Sequence, residues 1–253
     1  MEFVMITGAS TGIGYALAKE YARHHQNVIL VATREERLLQ VAAEIKETYQ
    51  VEALLYVQDL SRIGAAKELY EKVKQDGLTV SVLINNAGFG CVGECADIPY
   101  EKEEEMMILN MISLQELSKF FLQDMRKRRS GKILNVASTG AFQPGPFIAT
   151  YYATKSFVLS FSEAIRLENE HYGITVATLC PGATVSNFPA RAGKKPSKTA
   201  MPAKTVAKIT YRQMEKGRHV IIPGFINRAV RILPKGLKSR YVNWMQRSLM
   251  KNG

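Results

Sequence analysis

Residues 3–14 read FVMITGASTGIG. An apolar run that suits a buried strand enters a turn with glycines at Gly8, Gly12 and Gly14. The turn leads into a stretch in which Ala16, Leu17, Ala18 and Tyr21 recur at helical spacing. Strand, glycine turn and helix occur in the order a dinucleotide site needs. Glycine lets the turn close and lets a pyrophosphate approach backbone N–H groups at the positive end of a helix. Ser10, Thr11 and Ile13 fill the turn and join the three glycines as candidate cofactor contacts. The spacing is TGxxxGxG, not GxGxxG, and no Gly-Lys-Ser/Thr follows, which argues against a P-loop and phosphoryl transfer.

Working outward, six further short runs rich in Val, Ile and Leu follow: NVILVA from Asn27, EALLYV from Glu52, VSVLINN from Val80, GKILNVAS from Gly131, ITVATLCPG from Ile174 and HVIIPG from His219. Several are apolar throughout, as strands buried on both faces must be. Between them lie helical patterns, such as Leu38, Val41, Ala42 and Ile45 on one face with Glu35, Glu36 and Glu44 left for solvent. The expected fold is α/β, a doubly wound Rossmann-type parallel sheet of about seven strands with helices on both faces, in a single domain. Residues 1–224 form the dinucleotide-binding and catalytic body, and 225–253 a basic amphipathic helical extension of it. Residues 183–202 are rich in Gly, Pro, Lys and Ser and follow a strand end, so they are expected to form a substrate lid.

The second strand ends VATREER, about twenty residues past the last motif glycine, where an acidic side chain would hold the adenosine 2′-hydroxyl of NAD. Thr33 and Arg34 stand there instead, with Glu35 opening the next helix. An arginine at this point favours the 2′-phosphate of NADP through charge-assisted hydrogen bonds, so NADP(H) is expected over NAD(H).

With NNAG (Asn85 to Gly88), Ser138, YYATK (Tyr151 to Lys155) and the pair Pro181 and Gly182 in this order after the glycine turn, the chain resembles the short-chain dehydrogenase/reductase family from about Phe3 to Pro223. The resemblance implies that Tyr151 is the general acid/base, that Lys155 binds the nicotinamide ribose, that Ser138 holds the substrate oxygen and that Asn110 anchors a proton-relay water. It also implies that Asp59 and Leu60 meet the adenine, that Asn86, Ala87 and Gly88 lie beside the adenosine ribose, and that Pro181, Gly182 and Thr184 contact the cofactor. A carbonyl or alcohol as small-molecule substrate follows from it. So does a homodimer or homotetramer built on the helices near 110–126 and 151–171.

The chemistry also follows from the residues themselves. Tyr151 and Lys155 are four apart and share a face of a helix. Bringing a phenol from its ordinary pKa of about 10 to about 7 takes roughly 4 kcal/mol of differential stabilisation. A neighbouring ammonium and an oxidised nicotinamide both act in that direction. In reduction the phenol protonates the oxygen while hydride reaches the carbon, and Ser138 donates to the oxygen as charge develops. Tyr152 is also within reach of Lys155 and reads as packing or pocket lining. Two other functions stay open at this point: a cofactor-sensing protein that performs no chemistry, and an epimerase using transient hydride transfer.

The formal net charge of +11 is concentrated, since no acidic residue follows Glu215 while Arg228, Arg231, Lys235, Lys238, Arg240, Arg247 and Lys251 do. In 225–253 these alternate with apolar residues, a pattern that can pack on the domain or lie on an anionic membrane surface. The ending is similar to that of ketoacyl and steroid reductases, which suggests a lipid-like substrate. Nothing resembles a nucleic-acid recognition module. Cys91, Cys95 and Cys180 are an odd set with no partners for a tetrahedral zinc site, so reduced thiols and no metal are expected. The strand-like start MEFVMITG and the lack of any long apolar segment give a cytoplasmic placement as the expectation.

Overall fold

The computed structural model describes residues 1–186 and 200–225, together with 227, 228, 236, 239, 240, 242 and 243. All seven expected strands form: β1 (Glu2–Thr7), β2 (Asn27–Ala32), β3 (Ala53–Val57), β4 (Thr79–Asn85), β5 (Gly131–Val136), β6 (Ile174–Leu179) and, after a short pair β7 (Thr184–Val185) and β8 (Met201–Pro202), β9 (Val220–Ile221). They make one parallel sheet in the order β3-β2-β1-β4-β5-β6-β9. The chain builds outward from β1 to β3, then crosses back to β4 and builds the other way. The order therefore reverses between β1 and β4, where open α/β sheets bind ligands at the strands' carboxyl ends.

Among the described residues, these helices accompany the sheet: α1 (Gly12–Arg23), α2 (Glu35–Tyr49), α3 (Ala65–Gln75), α4 (Tyr100–Met107), α5 (Leu114–Arg128), α6 (Ala149–Asn169) and α7 (Ala203–Glu215). Successive strand residues point to opposite faces, so β1 supplies both cores. Val4 and Ile6 pack with Leu17, Tyr21, Leu38 and Val206 of α1, α2 and α7. Phe3 and Met5 pack with Leu69, Leu117, Phe121 and Ile165 of α3, α5 and α6. Each fully buried side chain of this kind contributes about 1.5–3 kcal/mol relative to exposure, and continuous apolar strands are the sequence trace of this two-sided burial.

Two details differ from the sequence reading. HVIIPG yields only the two-residue edge strand β9, because Pro223 has no N–H to donate and Gly224, at φ +90°, turns the chain away. Between α4 and α5 the backbone passes through a π-helical turn, Ile108–Ser113, which the periodicity does not announce. Of the expected lid, residues 187–199 lie outside the described residues. Its two ends are joined by the parallel pairing of β7 with β8, Thr184 beside Met201. The basic segment 225–253 also lies largely outside the described residues, though Asn227 packs against Gly182 and Val242 is buried.

Candidate active site

At the reversal point the glycine turn and the NNAG segment are built as one piece. The Thr7 hydroxyl accepts hydrogen bonds from the backbone N–H groups of Asn86 and Ala87, each at 2.9 Å, and the Asn86 amide donates back to the Thr7 carbonyl at 2.9 Å. This close approach is why Gly8 and Gly14 have no side chains. A Cβ on Gly8, whose φ is +66°, would stand 2.9 Å from Asn86 Nδ2, and one on Gly14 would overlap the Gly8 carbonyl. Gly12, at φ +60°, faces Ser186, where a Cβ would meet the serine at 3.0 Å. Thr11 precedes α1 without capping it by its side chain, so the helix presents its first N–H groups to the crevice. A glycine cradle at a helix amino terminus suits a pyrophosphate.

Thr33 and Arg34 lie exposed just beyond β2, and α2 does begin at Glu35. Asp59 is exposed, with one carboxylate oxygen accepting from the Ser61 backbone N–H at 2.9 Å and hydroxyl at 2.7 Å. Leu60 is buried, and its carbonyl accepts from Ser113 at 2.6 Å. Thr184 is buried and donates to the Gly182 carbonyl at 3.0 Å, beside Pro181.

On the far side of the crevice, α6 carries Tyr151 and Lys155 on one face, the ammonium 5.8 Å from the ring centroid of Tyr151. Lys155 is buried and donates to the Val136 carbonyl at 2.9 Å. Ser138 follows β5, caps a short turn by accepting from the Gly140 N–H at 3.1 Å, and hydrogen-bonds Tyr151. Asn110, in the π-helical turn, is fully buried. Its amide donates to the Phe89 carbonyl at 3.0 Å and to Thr154 Oγ1 at 3.1 Å, and its oxygen accepts from the Phe89 N–H at 3.2 Å. A Cβ on Gly88 would lie 2.8 Å from Asn110 Oδ1 and 3.3 Å from Lys155 Nζ, which places Gly88, Asn110 and Lys155 together. The four expected catalytic residues thus come from three parts of the chain, the π-helical turn, the end of β5 and α6, to one place.

Their electrostatics are those of the protein without cofactor. Burial raises Tyr151 above the ordinary phenol range, with Tyr152 adding to it and the Ser138 hydrogen bond opposing it. Burial also pushes Lys155 down to about 8, the nearby Cys180 opposing it. The lowering of the phenol expected from the sequence involves an oxidised nicotinamide beside it; in the protein alone desolvation is the largest influence and the Ser138 hydrogen bond opposes it. At neutral pH the pair therefore rests as a protonated phenol beside an ammonium, the state of a proton donor.

Thr154, Arg37, Phe89 and Met106 escaped the sequence reading. Thr154 links Asn110 to the Tyr151 carbonyl, to which it donates at 2.7 Å. Arg37 donates to the Ser10 carbonyl at 3.3 Å and ties α2 to the glycine turn. Met106 and Ile148 pack on Tyr151, flanked by Phe89, Val92 and Tyr152, so the site has an apolar wall. The Gly93 N–H donates to the Phe147 carbonyl at 3.0 Å, and Phe147 has a φ of +62°, joining the segments on either side of that wall. Among the described residues no group of His, Cys, Asp or Glu is arranged to hold a metal.

A glycine cradle and a Tyr–Lys pair stand at the switch point of a Rossmann-type α/β domain. The chain belongs to the short chain dehydrogenase family, whose profile matches residues 2–196. It is 35% identical over 185 residues to a very-long-chain 3-oxoacyl-CoA reductase of Anas platyrhynchos, covering 71% of this chain and 58% of that protein. To a 7beta-hydroxysteroid dehydrogenase of Collinsella aerofaciens it is 31% identical, covering 73% and 70%. The chain thus spans little more than half the length of the first of these relatives. Its fold is similar to that of a short-chain dehydrogenase from Sphingobium yanoikuyae in complex with NADPH, at 27% identity, a TM-score of 0.84 and coverage of 100% and 96%.

Proposed function

We propose that the protein is an oxidoreductase that moves a hydride between NADP(H) and a carbonyl or secondary alcohol, with Tyr151 as general acid/base. The observation that carries this reading is the convergence of Ser138, Tyr151, Lys155 and Asn110 opposite the glycine cradle. A bound nicotinamide supplies the hydride in reduction and accepts it in oxidation. In reduction the Tyr151 hydroxyl passes its proton to the substrate oxygen, to which Ser138 also donates. Lys155, charged at neutral pH, favours the phenolate that remains and donates to the ribose. Asn110 fixes the turn at Phe89 and keeps acceptor capacity for a water that returns the proton.

The cradle of Gly8, Ser10, Thr11, Gly12, Ile13 and Gly14 takes the pyrophosphate in this reading, with Asp59 and Leu60 at the adenine. Asn86, Ala87 and Gly88 lie along the ribose, and Pro181, Gly182 and Thr184 at the nicotinamide end. Thr33 and Arg34 take the 2′-phosphate. The Arg34→Glu variant is expected to lose about 10- to 100-fold in kcat/KM with NADPH, the worth of a charge-assisted hydrogen bond, and to gain relative activity with NADH. Steady-state rates of ketone reduction with both cofactors test the reading; a preference for NADH in the unsubstituted protein would overturn the cofactor assignment, and the absence of turnover the reaction.

The relatives' names and the apolar wall of Phe89, Val92, Met106 and Ile148 favour a lipid-like substrate. No helix among the described residues is long and apolar enough to cross a membrane. Residues 1–224 act as the catalytic body and 225–253 as its extension, in which, among the described residues, Val242 is buried while Arg228 and Arg240 are exposed. A homo-oligomer is supported by α6, where Phe157 and Leu167 are exposed and Phe157 stacks on Phe161 at 5.7 Å. Sedimentation reads both points: a dimer or tetramer is expected in solution. Pelleting is expected with phosphatidylserine vesicles and not with neutral ones, and a triple Lys235→Glu, Lys238→Glu, Arg240→Glu variant should lose it. A monomer, or equal pelleting with both vesicles, would remove the respective point.

A further inference from the structure

Two fully buried side-chain oxygens among the described residues have no hydrogen-bond partner: Asn85 Oδ1 and Gln143 Oε1. They differ in setting. Asn85 ends a central strand, and its amide nitrogen already serves Leu114, Ser118 and Asn135 inside the protein. Gln143 lies on the segment that runs from Ser138 to Tyr151, between the group that meets the substrate oxygen and the group that protonates it.

That segment is held firmly on both sides of Gln143. Gly140 and Gly145 both pack on the Tyr152 ring, so closely that a Cβ would stand 2.8 Å and 2.5 Å from ring atoms. Ser156, on α6, donates to the Ala141 carbonyl at 3.1 Å. The backbone of Gln143 is extended, at φ −159° and ψ 159°, and Pro144 follows it. Its position is therefore set by its neighbours, and its amide oxygen gains nothing from the fold. A buried acceptor without a partner is costly, and such groups persist where a ligand completes them.

We propose that Gln143 is a specificity-determining residue whose amide oxygen accepts a hydrogen bond from a hydroxyl on the substrate, so that the preferred substrates are hydroxy ketones and the matching diols. The inference rests on the reductase reading. A site built to accept such a bond rejects the analogue that lacks the donor, because the buried oxygen is then left unpaired.

The test compares β- and γ-hydroxy ketones with their O-methyl ethers, which keep the oxygen and remove the donor. The unsubstituted protein is expected to favour at least one free hydroxy ketone over its ether by about 10-fold in kcat/KM, as fits one neutral hydrogen bond. In Gln143→Met, of similar length and without the oxygen, that ratio is expected to fall to near one, with a Tm no lower than before. Equal rates for every hydroxy ketone and its ether, or a preference that survives Gln143→Met, would overturn the inference. A fall in Tm would do the same, since the oxygen would then have a partner in the fold itself. No turnover of any ketone by the unsubstituted protein would overturn the reductase reading and this inference with it.

Discussion

Tyr151→Phe is expected to lower kcat by about 10²-fold or more while the Kd for NADPH changes little. The substitution removes one oxygen and leaves the ring in place among Met106, Ile148 and Tyr152. Ser138 loses a hydrogen-bond partner but keeps its bond to the Gly140 N–H, so the stability change should stay within about 1 kcal/mol. A large loss of turnover in a folded, cofactor-binding variant can then only come from the missing proton. Direction matters as well. Because burial keeps the phenol protonated, the resting protein holds the proton that the proposed reduction uses. Alcohol oxidation needs the phenolate first, so its rate should climb as pH rises above neutrality while the reduction rate holds or falls. Full activity of the Phe variant, or parallel pH profiles in the two directions, would refute the role of Tyr151.

The parts of this molecule that could be read from its sequence are those that a local rule dictates. β2 is apolar at every buried position, and β1 and β6 at all but Thr7 and Thr178, because helices cover both faces, and Gly8, Gly12 and Gly14 answer to steric limits that no other residue meets. The i, i+4 placement of Tyr151 and Lys155 needed only a helix, and α6 supplies it. What stayed hidden depends on distant packing. The π-helical turn that positions Asn110 inserts an extra residue without leaving a mark in the apolar period. Phe147 takes a left-handed backbone that favours glycine or asparagine, so residue preference points away from it. The raised phenol of the protein without cofactor stayed hidden too, because spacing shows which charges are near but not how completely a group is removed from water. That the side-chain oxygen of Gln143 is buried without a partner likewise depends on packing that no local pattern shows.

Lys155→Met is expected to yield a protein that is less active by about 10²-fold or more and yet more stable without cofactor. Burial lowers the folded-state pKa to about 8, below the ordinary lysine value of 10.5, so folding resists the charged form. Above pH 10.5 the group is neutral in both states and costs nothing. As pH falls the unfolded chain takes up the proton first, stability declines, and below about 8 the full penalty is present. At about 1.4 kcal/mol per pH unit the penalty is on the order of 3 kcal/mol, offset by about 1 kcal/mol from the hydrogen bond to Val136 that methionine cannot make. Urea unfolding of both proteins at pH 7 and at pH 10 measures this, because groups common to the two cancel in the difference. The gain from Lys155→Met should be clear at pH 7 and shrink at pH 10. A variant that is less stable at pH 7 would mean that the ammonium is well paired inside the apoprotein. A gain in stability with a loss of turnover would instead show a buried charge kept against the interest of the fold, as expected where a cation must wait for a phenolate that forms only during the reaction.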